Sequence, residues 1–271
     1  MPGPAAGTCR CLAPGAKGTV WLMALGRGMK GFGLLAALAL ALSSCQGEDF
    51  SGPDGPIANH DGYWDGVKQD PQWAVESGSL DRRSNTAWTT SSVFRAWSTR
   101  DNLQSVRVDF DLRTNRFTDG STDRPPRAWD GVKIWLHARH TDGGVLGAPM
   151  PGSPAGYTAE VSLRDGRIYV QKKVAGQWPG GNYIQGGTYF LLSSPVSRPA
   201  RIGEWERVGG VARDNPDGSV TLQVIRDGEV AVEVTDHGEQ GGPPLRGPGR
   251  IGIRGDNTDF QVDNLRVLPA L

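Results

Sequence analysis

The chain has 271 residues, of which 39 are glycine and 19 are proline, and its 29 acidic and 29 basic side chains give no net charge. Four of the basic residues and none of the acidic ones precede residue 46, so the remainder carries 25 basic residues and a net charge of −4. A nucleic-acid-binding domain is normally basic, so this balance argues against nucleic acid as a partner. The part after residue 45 is long enough for one large domain with a sizeable core.

Residues 1–45 contain a segment with the pattern of a bacterial lipoprotein signal. A basic residue after Met29 is followed by an apolar run from Gly31 to Leu42, which is too short to cross a bilayer as a helix. The tetrapeptide LSSC, which ends at Cys45, resembles the lipobox in which the cysteine is lipidated. We therefore expect translation to start at Met29, or alternatively at Met23, and a lipid on Cys45 to anchor the protein on the extracytoplasmic face of the cell membrane. The alternative is an ordinary secretory signal.

The next residues, 46–60, are polar and rich in glycine and proline, which predicts a tether. Beyond them no stretch has a sustained helical period, and runs typical of strands alternate with turns. The predicted strands are 105–113, 131–139, 158–163, 167–174, 205–212, 219–226, 229–235, 250–254 and 260–267. The predicted hairpin turns are Asp165-Gly166, Asp217-Gly218 and Asp227-Gly228. Long loops are predicted at 114–128, 140–156 and 175–203, so the pattern indicates an all-β sandwich.

Six stretches resemble secreted bacterial members of the concanavalin A-like lectin and glucanase superfamily. They are DFSGPDGPIAN, WAVESGSLDRR, WDGVKIWL, VSLRDGRIYVQKKV, GGTYFLL and the closing GRIGIRGDNTDFQVDNLRV. The resemblance covers residues 49–271 and implies a jelly-roll β-sandwich of two antiparallel sheets, with adjacent first and last strands and glycans bound on the concave sheet. The superfamily includes lectins, glucanases, polysaccharide lyases and the group called 3-keto-disaccharide hydrolases, so the fold does not settle the activity.

One enzymatic option can be tested on the sequence itself. Laminarinase-type members carry Glu-x-Asp-x-Glu, or the same motif with one extra residue, because retaining hydrolysis needs two carboxylates about 5 Å apart. None of the eight glutamates of this chain lies in such a motif. The sequence therefore argues against a retaining glucanase of that kind, and an enzyme on this fold would be a polysaccharide lyase or another protein like a glycoside hydrolase.

Four strands carry polar side chains along one side, because successive strand residues point to opposite faces. Lys133 and Trp135 alternate with apolar residues, as do Arg107 and Asp109. If the four strands are neighbours in one sheet, these sides form a surface with aromatic faces for sugar rings and arginine forks for carboxylates. The alternative is a face that is only solvated. The candidate ligand-binding residues are Lys133, Trp135, Asp109, Glu160, Tyr169 and Gln171.

If that surface is catalytic, β-elimination on a uronic acid suits its residue types best. The reaction needs a cation at the substrate carboxylate, a base at C5 and an acid at the leaving oxygen. Arg107 or Arg139 could neutralise the carboxylate, and His137 could be the base. The candidate proton donors are Tyr157, Tyr169 and Tyr183. The set resembles the equipment of jelly-roll alginate lyases, although their Arg-x-Glu-x-Arg and Gln-x-His motifs are only loosely matched here.

Aspartates near the two ends of the predicted domain suggest a structural calcium site. Asp49, Asp256 and Asp263 could supply oxygen ligands where the termini meet. The alternative is that these aspartates cap turns. No other cofactor is expected. We thus expect a surface-anchored lipoprotein that binds or processes polysaccharide, which could be anionic. The two alternatives are a uronate lyase and a non-catalytic structural or interaction lipoprotein.

Overall fold

The computed structural model describes residues 46–59, 72–120, 125–139, 154–184 and 186–270. The predicted signal segment with Met29 and Cys45 lies outside these ranges, as does most of the predicted loop 140–156. Within them the secondary structure is entirely strand, and no helix could span a membrane. The strands are β1 (Gln46–Glu48), β2 (Gly55–Asn59), β3 (Trp73–Ser77), β4 (Ser79–Arg83), β5 (Thr86–Thr89), β6 (Val93–Ser98), β7 (Val106–Phe117), β8 (Gly131–Arg139), β9 (Ala155–Leu163), β10 (Arg167–Ala175), β11 (Asn182–Ile184), β12 (Gly187–Leu191), β13 (Val196–Ser197), β14 (Trp205–Asp214), β15 (Val220–Arg226), β16 (Glu229–Asp236), β17 (Arg250–Asp256) and β18 (Thr258–Pro269).

These strands form two antiparallel sheets. The back sheet has the order β16-β15-β14-β7-β18-β5-β4-β2, with β1 paired to β18. The front sheet has the order β11-β12-β10-β9-β8-β17-β6-β3, with β13 paired to β10. The prediction of an all-β sandwich of two antiparallel sheets is confirmed.

All nine predicted strands are present, and the three predicted hairpin turns connect β9 to β10, β14 to β15 and β15 to β16. The prediction that residues 175–203 form one long loop is wrong, because this segment contains the short strands β11, β12 and β13. Strands β3 to β6 were not predicted. Each of them has six residues or fewer, which gives a local pattern little length in which to repeat.

The predicted tether 46–60 is also corrected. Strand β1 pairs with β18 of the back sheet, and β2 pairs with β4 at the edge of the same sheet. Residues 46–48 and 55–59 are therefore part of the sandwich. The adjacency of the first and last strands agrees with what the resemblance implied.

The core lies between the sheets and is filled by the apolar side of each strand. Val132, Ile134 and Leu136 of β8 belong to the same buried cluster as Val108 and Phe110 of β7. Burying a side chain of this size stabilises the fold by roughly 1.5–3 kcal/mol. The opposite sides of the same strands form the outer faces of the sandwich, and the outer face of the front sheet contains the cleft described next.

Candidate functional site

A cleft with a volume of about 140 Å³ opens on the outer face of the front sheet. Its lining comes from β8, β10, β11, β12 and β17, and its rim includes the turn that precedes β8. Four lining side chains are cations and one is an acid. The cations are Arg127, Lys133, Arg167 and Arg254, and the acid is Asp256. The cleft therefore has an excess of positive charge, although Arg167 is already paired with Asp165 at 2.6 Å.

Strand register places three cations side by side, and two of them line the cleft. Arg95, Arg254 and Lys133 are direct cross-strand neighbours on β6, β17 and β8, and Lys133 is in turn opposite Glu160 on β9. Like charges directly opposite each other destabilise a sheet unless counter-ions lie between them. The next neighbour, Tyr169 on β10, is opposite Glu160 and completes a row that crosses five strands.

Carboxylates partly neutralise this row from within the sheet. Lys133 Nζ lies 3.2 Å from Glu160 Oε2 and 3.8 Å from Asp256 Oδ2. Arg254 donates to both oxygens of Asp256, at 2.8 and 3.1 Å. Burial acts to lower the pKa of Arg254, but Asp256, Tyr189 and Glu160 together outweigh it and raise that pKa, so Arg254 stays charged. Glu160 and Asp256 are themselves buried, and thus hold the cations in place while leaving Lys133 and Arg254 in the cleft wall.

Several uncharged polar groups line the cleft and have no hydrogen-bond partner in the described part of the protein. A hydroxyl or amide in such a position can donate to or accept from a ligand hydroxyl. They are the side chains of Tyr169, Gln171, Asn182 and Tyr189. Burial, and secondarily the charge of Glu160, raise the pKa of Tyr169, so its hydroxyl keeps its proton.

The rim carries an exposed tryptophan with an arginine above it. The Trp129 side chain is 41% exposed, and Arg127 Cζ lies 5.5 Å from the centre of its ring. Asp130 fixes this turn, because its carboxylate accepts from the backbone N–H of Arg127 at 2.7 Å and from Asn257 at 2.8 Å. The Arg127 guanidinium forms no ion pair with any described residue. The pair therefore offers a flat apolar face beside an available cation.

The structure divides the six predicted ligand-binding residues into three groups. Lys133, Tyr169 and Gln171 line the cleft. Glu160 lies beside them but is buried and paired with Lys133. Trp135 and Asp109 are elsewhere, as the next paragraphs describe. Sequence reasoning missed Trp129, Arg127, Asn182, Tyr189 and Arg254. A signal for the first two existed, since a tryptophan and an arginine in a Pro-rich turn have no core to enter.

Trp135 does not present a face to a ligand. Only 2% of it is exposed, and its ring contacts Trp97 edge-on with ring centres 5.7 Å apart. Glycines make room for the two indoles: a Cβ at Gly252 would lie 2.5 Å from Trp97, and one at Gly156 would lie 3.2 Å from Trp135. The prediction that a sugar stacks on Trp135 is therefore corrected, because this side chain packs within the sheet face.

A bulge removes His137 from the face that Lys133 and Trp135 share. His137 has a φ of 49°, and the pairing register of β8 shifts at this point against both β9 and β17. Its Nδ1 donates to the carbonyl of Leu245 at 3.0 Å and lies 3.8 Å from Asp214 of the back sheet. Burial lowers the pKa of His137, and the side chain is 1% exposed. His137 thus cannot act as a base in the cleft.

Two other predicted catalytic residues, Tyr157 and Arg139, bind the segment 237–249, which contains Leu245. Tyr157 lies on the core side of β9, where its hydroxyl donates to Asp236 at 2.7 Å and accepts from the backbone N–H of Leu245 at 2.7 Å. Arg139 donates to the carbonyls of Pro248, at 3.0 Å, and Arg246. Burial, then the Asp236 carboxylate, raise the pKa of Tyr157 far above its usual range. These groups hold a loop rather than a substrate.

Arg107 and Asp109 lie in the other sheet. They belong to β7 of the back sheet, opposite Val211 and Gly209 of β14, and they point away from the core. Arg107 Nε donates to both carboxylate oxygens of Asp109 at 3.0 Å. The expectation that their strand is a neighbour of β8 is therefore wrong, and the whole core separates them from Lys133. Tyr183 is paired with Thr188, on the opposite side of β11 from Asn182.

The predicted calcium ligands do not assemble. Asp256 is paired with Arg254 in β17 of the front sheet, whereas the first and last strands lie in the back sheet. Burial raises the pKa of Asp263, and the nearby charges of Asp111 and Asp49 raise it further, so Asp49 and Asp263 are close enough to interact. However, no three histidine, cysteine or acidic side chains among the described residues are placed to hold a metal ion. The three predicted aspartates therefore do not form a metal site together in this part of the chain.

Known proteins were compared with this chain by sequence and by structure. No protein-family model matches the sequence, and no curated protein does. A Bacillus subtilis protein of unknown function with a galectin-like fold is similar in structure, with a TM-score of 0.51 and 14% identity over 83% of this chain and 98% of that one. This chain has a galectin-like fold. The concanavalin A-like architecture that the sequence resemblance implied is thus confirmed.

Two further structures align less closely. The carbohydrate recognition domain of Emp46p has a TM-score of 0.47 and 12% identity over 74% of this chain and 89% of that one. The exoplasmic/lumenal domain of VIP36, in a form bound to Ca²⁺ and Man3GlcNAc, has a TM-score of 0.46 and 11% identity over 74% and 84% of the two chains. At such identities a structural likeness concerns the fold, so any function must be argued from the cleft itself.

Proposed function

We propose that this protein is a carbohydrate-binding module that takes an acidic glycan in the cleft of the front sheet. One observation carries the proposal: an exposed indole, an excess of cations and a set of unpartnered hydroxyl and amide groups line the same depression. Sugar rings have apolar faces that stack on aromatic side chains, and their hydroxyls exchange hydrogen bonds with such polar groups. The positive charge favours a ligand that carries carboxylate or sulfate groups.

Each part of the cleft then has a role. A sugar ring stacks on Trp129 at the rim, and Arg127 above that ring receives an anionic substituent. Lys133 and Arg254 hold a second anionic group in the cleft wall. The unpartnered groups of Tyr169 and the neighbouring strands bind ring hydroxyls. Because Asp256 and Glu160 already neutralise part of the charge, the surplus that selects the ligand comes mainly from Arg127.

Replacing Trp129 with alanine is expected to weaken glycan binding by about 1–3 kcal/mol, through the loss of one stacked aromatic face. Trp178 offers a matched control, since it is 42% exposed against 41% for Trp129 and lies outside the cleft lining. Calorimetry with tetragalacturonic acid, and with its neutral counterpart galactotetraose, measures the change. Binding of the acid should be tighter and should weaken as salt is added.

The same titrations separate the alternatives. The protein is first titrated with a panel of uronic-acid, sulfated and neutral polysaccharides. The absorbance is followed at the same time to detect the unsaturated uronate ends that a lyase would produce. Binding that Trp129→Ala weakens and Trp178→Ala does not would support the proposal. Rising absorbance would replace it with the lyase, whose base would have to be a residue other than His137. If no glycan binds, the proposal fails and the structural or interaction lipoprotein is left.

We further propose that Cys45 carries a lipid that anchors the protein on the extracytoplasmic face of the cell membrane. The sequence LSSC supports it, and acyl chains bind membranes by roughly 0.8 kcal/mol per buried methylene. Since β1 begins at Gln46, such an anchor would hold the sandwich close to the bilayer without a spacer. Cys45→Ala should release the protein from membrane pellets into the medium. A variant that still sediments with membranes would contradict the anchor.

A further inference from the structure

Lys173 has a buried amine on the outer face of the front sheet. The residue is 1% exposed, and its Nζ has no hydrogen-bond partner within the described part of the chain. The amine lies 4.9 Å from the ring centre of Tyr189 and 5.9 Å from that of Trp135. Buried polar groups in folded proteins nearly always have a partner, so a lysine left without one indicates a role beyond stability.

The surroundings of Lys173 connect it to the cleft. Tyr189 on β12 and Gly156 on β9 are its direct cross-strand neighbours, and Trp135 reaches it from β8. Tyr189 and Arg254 contribute to the cleft wall, and the amine lies beside the Tyr189 ring, so it borders that wall. The charged groups that act on it come from β17, β6 and β3, and they are Arg254, Arg95 and Glu76.

The field of these groups disfavours a charged amine. Burial, and then the positive charges of Arg254 and Arg95, lower the pKa of Lys173 to about 7, and the Glu76 carboxylate only partly opposes them. Near neutral pH the amine is therefore about half protonated. Any negative charge that arrives beside Arg254 offsets the two arginines and favours the protonated form.

We propose that Lys173 is a specificity-determining residue of the cleft, because an acidic ligand bound against Arg254 and Tyr189 causes its amine to take up a proton from solvent. This inference rests on the proposed function. The neutral amine gains one proton and becomes an ammonium, and no other bond changes. A neutral sugar brings no charge to offset the arginines, so it binds without proton uptake. The cleft thereby gains a cation only when an anionic ligand is present.

Linkage sets the direction of the pH effect. The acidic complex holds more protons than the free protein, so affinity for an acidic glycan falls as pH rises from about 7 towards the raised pKa of the complex. One linked proton changes the binding constant by at most about tenfold per pH unit. We expect a decrease of about three- to tenfold between neutral pH and pH 8.5 or so. Affinity for a neutral glycan should not change over that range.

Calorimetry of the purified protein with tetragalacturonic acid and with galactotetraose tests the inference. Titration in two buffers with different heats of ionisation gives the number of protons taken up. Up to one proton is expected for the acid and none for the neutral sugar. Lys173→Met should abolish the uptake. Lys173→Arg, whose charge is permanent, should abolish it too while keeping the affinity of the wild type at low pH.

The outcomes separate this inference from the proposed function. Binding of the acid without proton uptake, or uptake that persists in Lys173→Met, overturns the role of Lys173 and leaves carbohydrate binding intact. No binding of either sugar, or of any glycan in the panel, overturns both. Thermal unfolding of each variant verifies that it is folded. If Lys173→Met does not fold, Lys173→Arg still tests the inference.

Discussion

Replacing Lys172 with methionine is expected to destabilise the domain by about 3–5 kcal/mol, which is the usual cost of removing one partner of a buried charged network. Lys172 lies on the core side of β10 and is fully buried. Its amine contacts Asp236 Oδ2 at 3.0 Å and donates to three backbone carbonyls at 2.6 to 3.0 Å. Those carbonyls belong to Gln240, Gly242 and Pro243.

The loss should be this large because methionine keeps the apolar stem but supplies no donor. The Asp236 carboxylate would remain buried with Tyr157 and the backbone N–H of Gly238 as its hydrogen-bond donors, and the loop 237–249 would lose three of its hydrogen bonds to the front sheet. Urea unfolding followed by tryptophan fluorescence gives the free energy of unfolding. A loss below about 1 kcal/mol would mean that water replaces the amine, and would contradict a dry network.

The same substitution at the next residue, Lys173→Met, is expected to change the stability of the domain in the opposite direction. Lys173→Met should stabilise the protein at neutral pH by about 1–4 kcal/mol, since exchanging a poorly compensated buried charge for an apolar group is often stabilising. Lys172→Met serves as its matched control, because the two lysines are adjacent, equally buried and replaced by the same residue. What differs between them is the number of hydrogen-bond partners.

The pH dependence of this difference follows from the lowered pKa of Lys173. Its folded-state pKa of about 7 lies below the value near 10.4 that is expected for an unfolded lysine. Between these values the unfolded chain binds more protons, so the free energy of unfolding of the wild type rises with pH across this window. The advantage of Lys173→Met should therefore be largest at about pH 7 and shrink towards pH 10. An advantage that does not vary with pH would rule out this origin.

Alternation along single strands predicted part of the candidate site correctly. Lys133, Tyr169 and Gln171 lie in the cleft because each is on the polar side of a regular strand, where parity alone fixes the face. His137 fails the same rule, since the bulge at this residue shifts the parity of every later position in β8. A bulge adds one residue without any change in composition, so the pattern VKIWLHAR contains no sign of it.

Other residues of the site depended on neighbours that are distant in the sequence. Trp135 is buried because Trp97 and Gly252 come from strands on its far side, and neither is near it along the chain. Arg107 does not lie in the site, because its strand β7 belongs to the back sheet. Trp129 and Arg127 line the cleft because their turn lies at its rim. The local sequence pattern did not predict which strands end beside this turn.

By itself the sequence determined where the nine strands of seven residues or more lie, where the tight hairpins lie and that each of these strands has an apolar and a polar side. These are local properties, since they depend on backbone preference and on a two-residue period. Only the tertiary structure decided the order of the strands in two sheets, and hence which polar sides meet. Strand order is set by hydrogen bonds and packing between distant segments, so a cleft lined by β8, β10, β11, β12 and β17 exists only after the sheet has assembled.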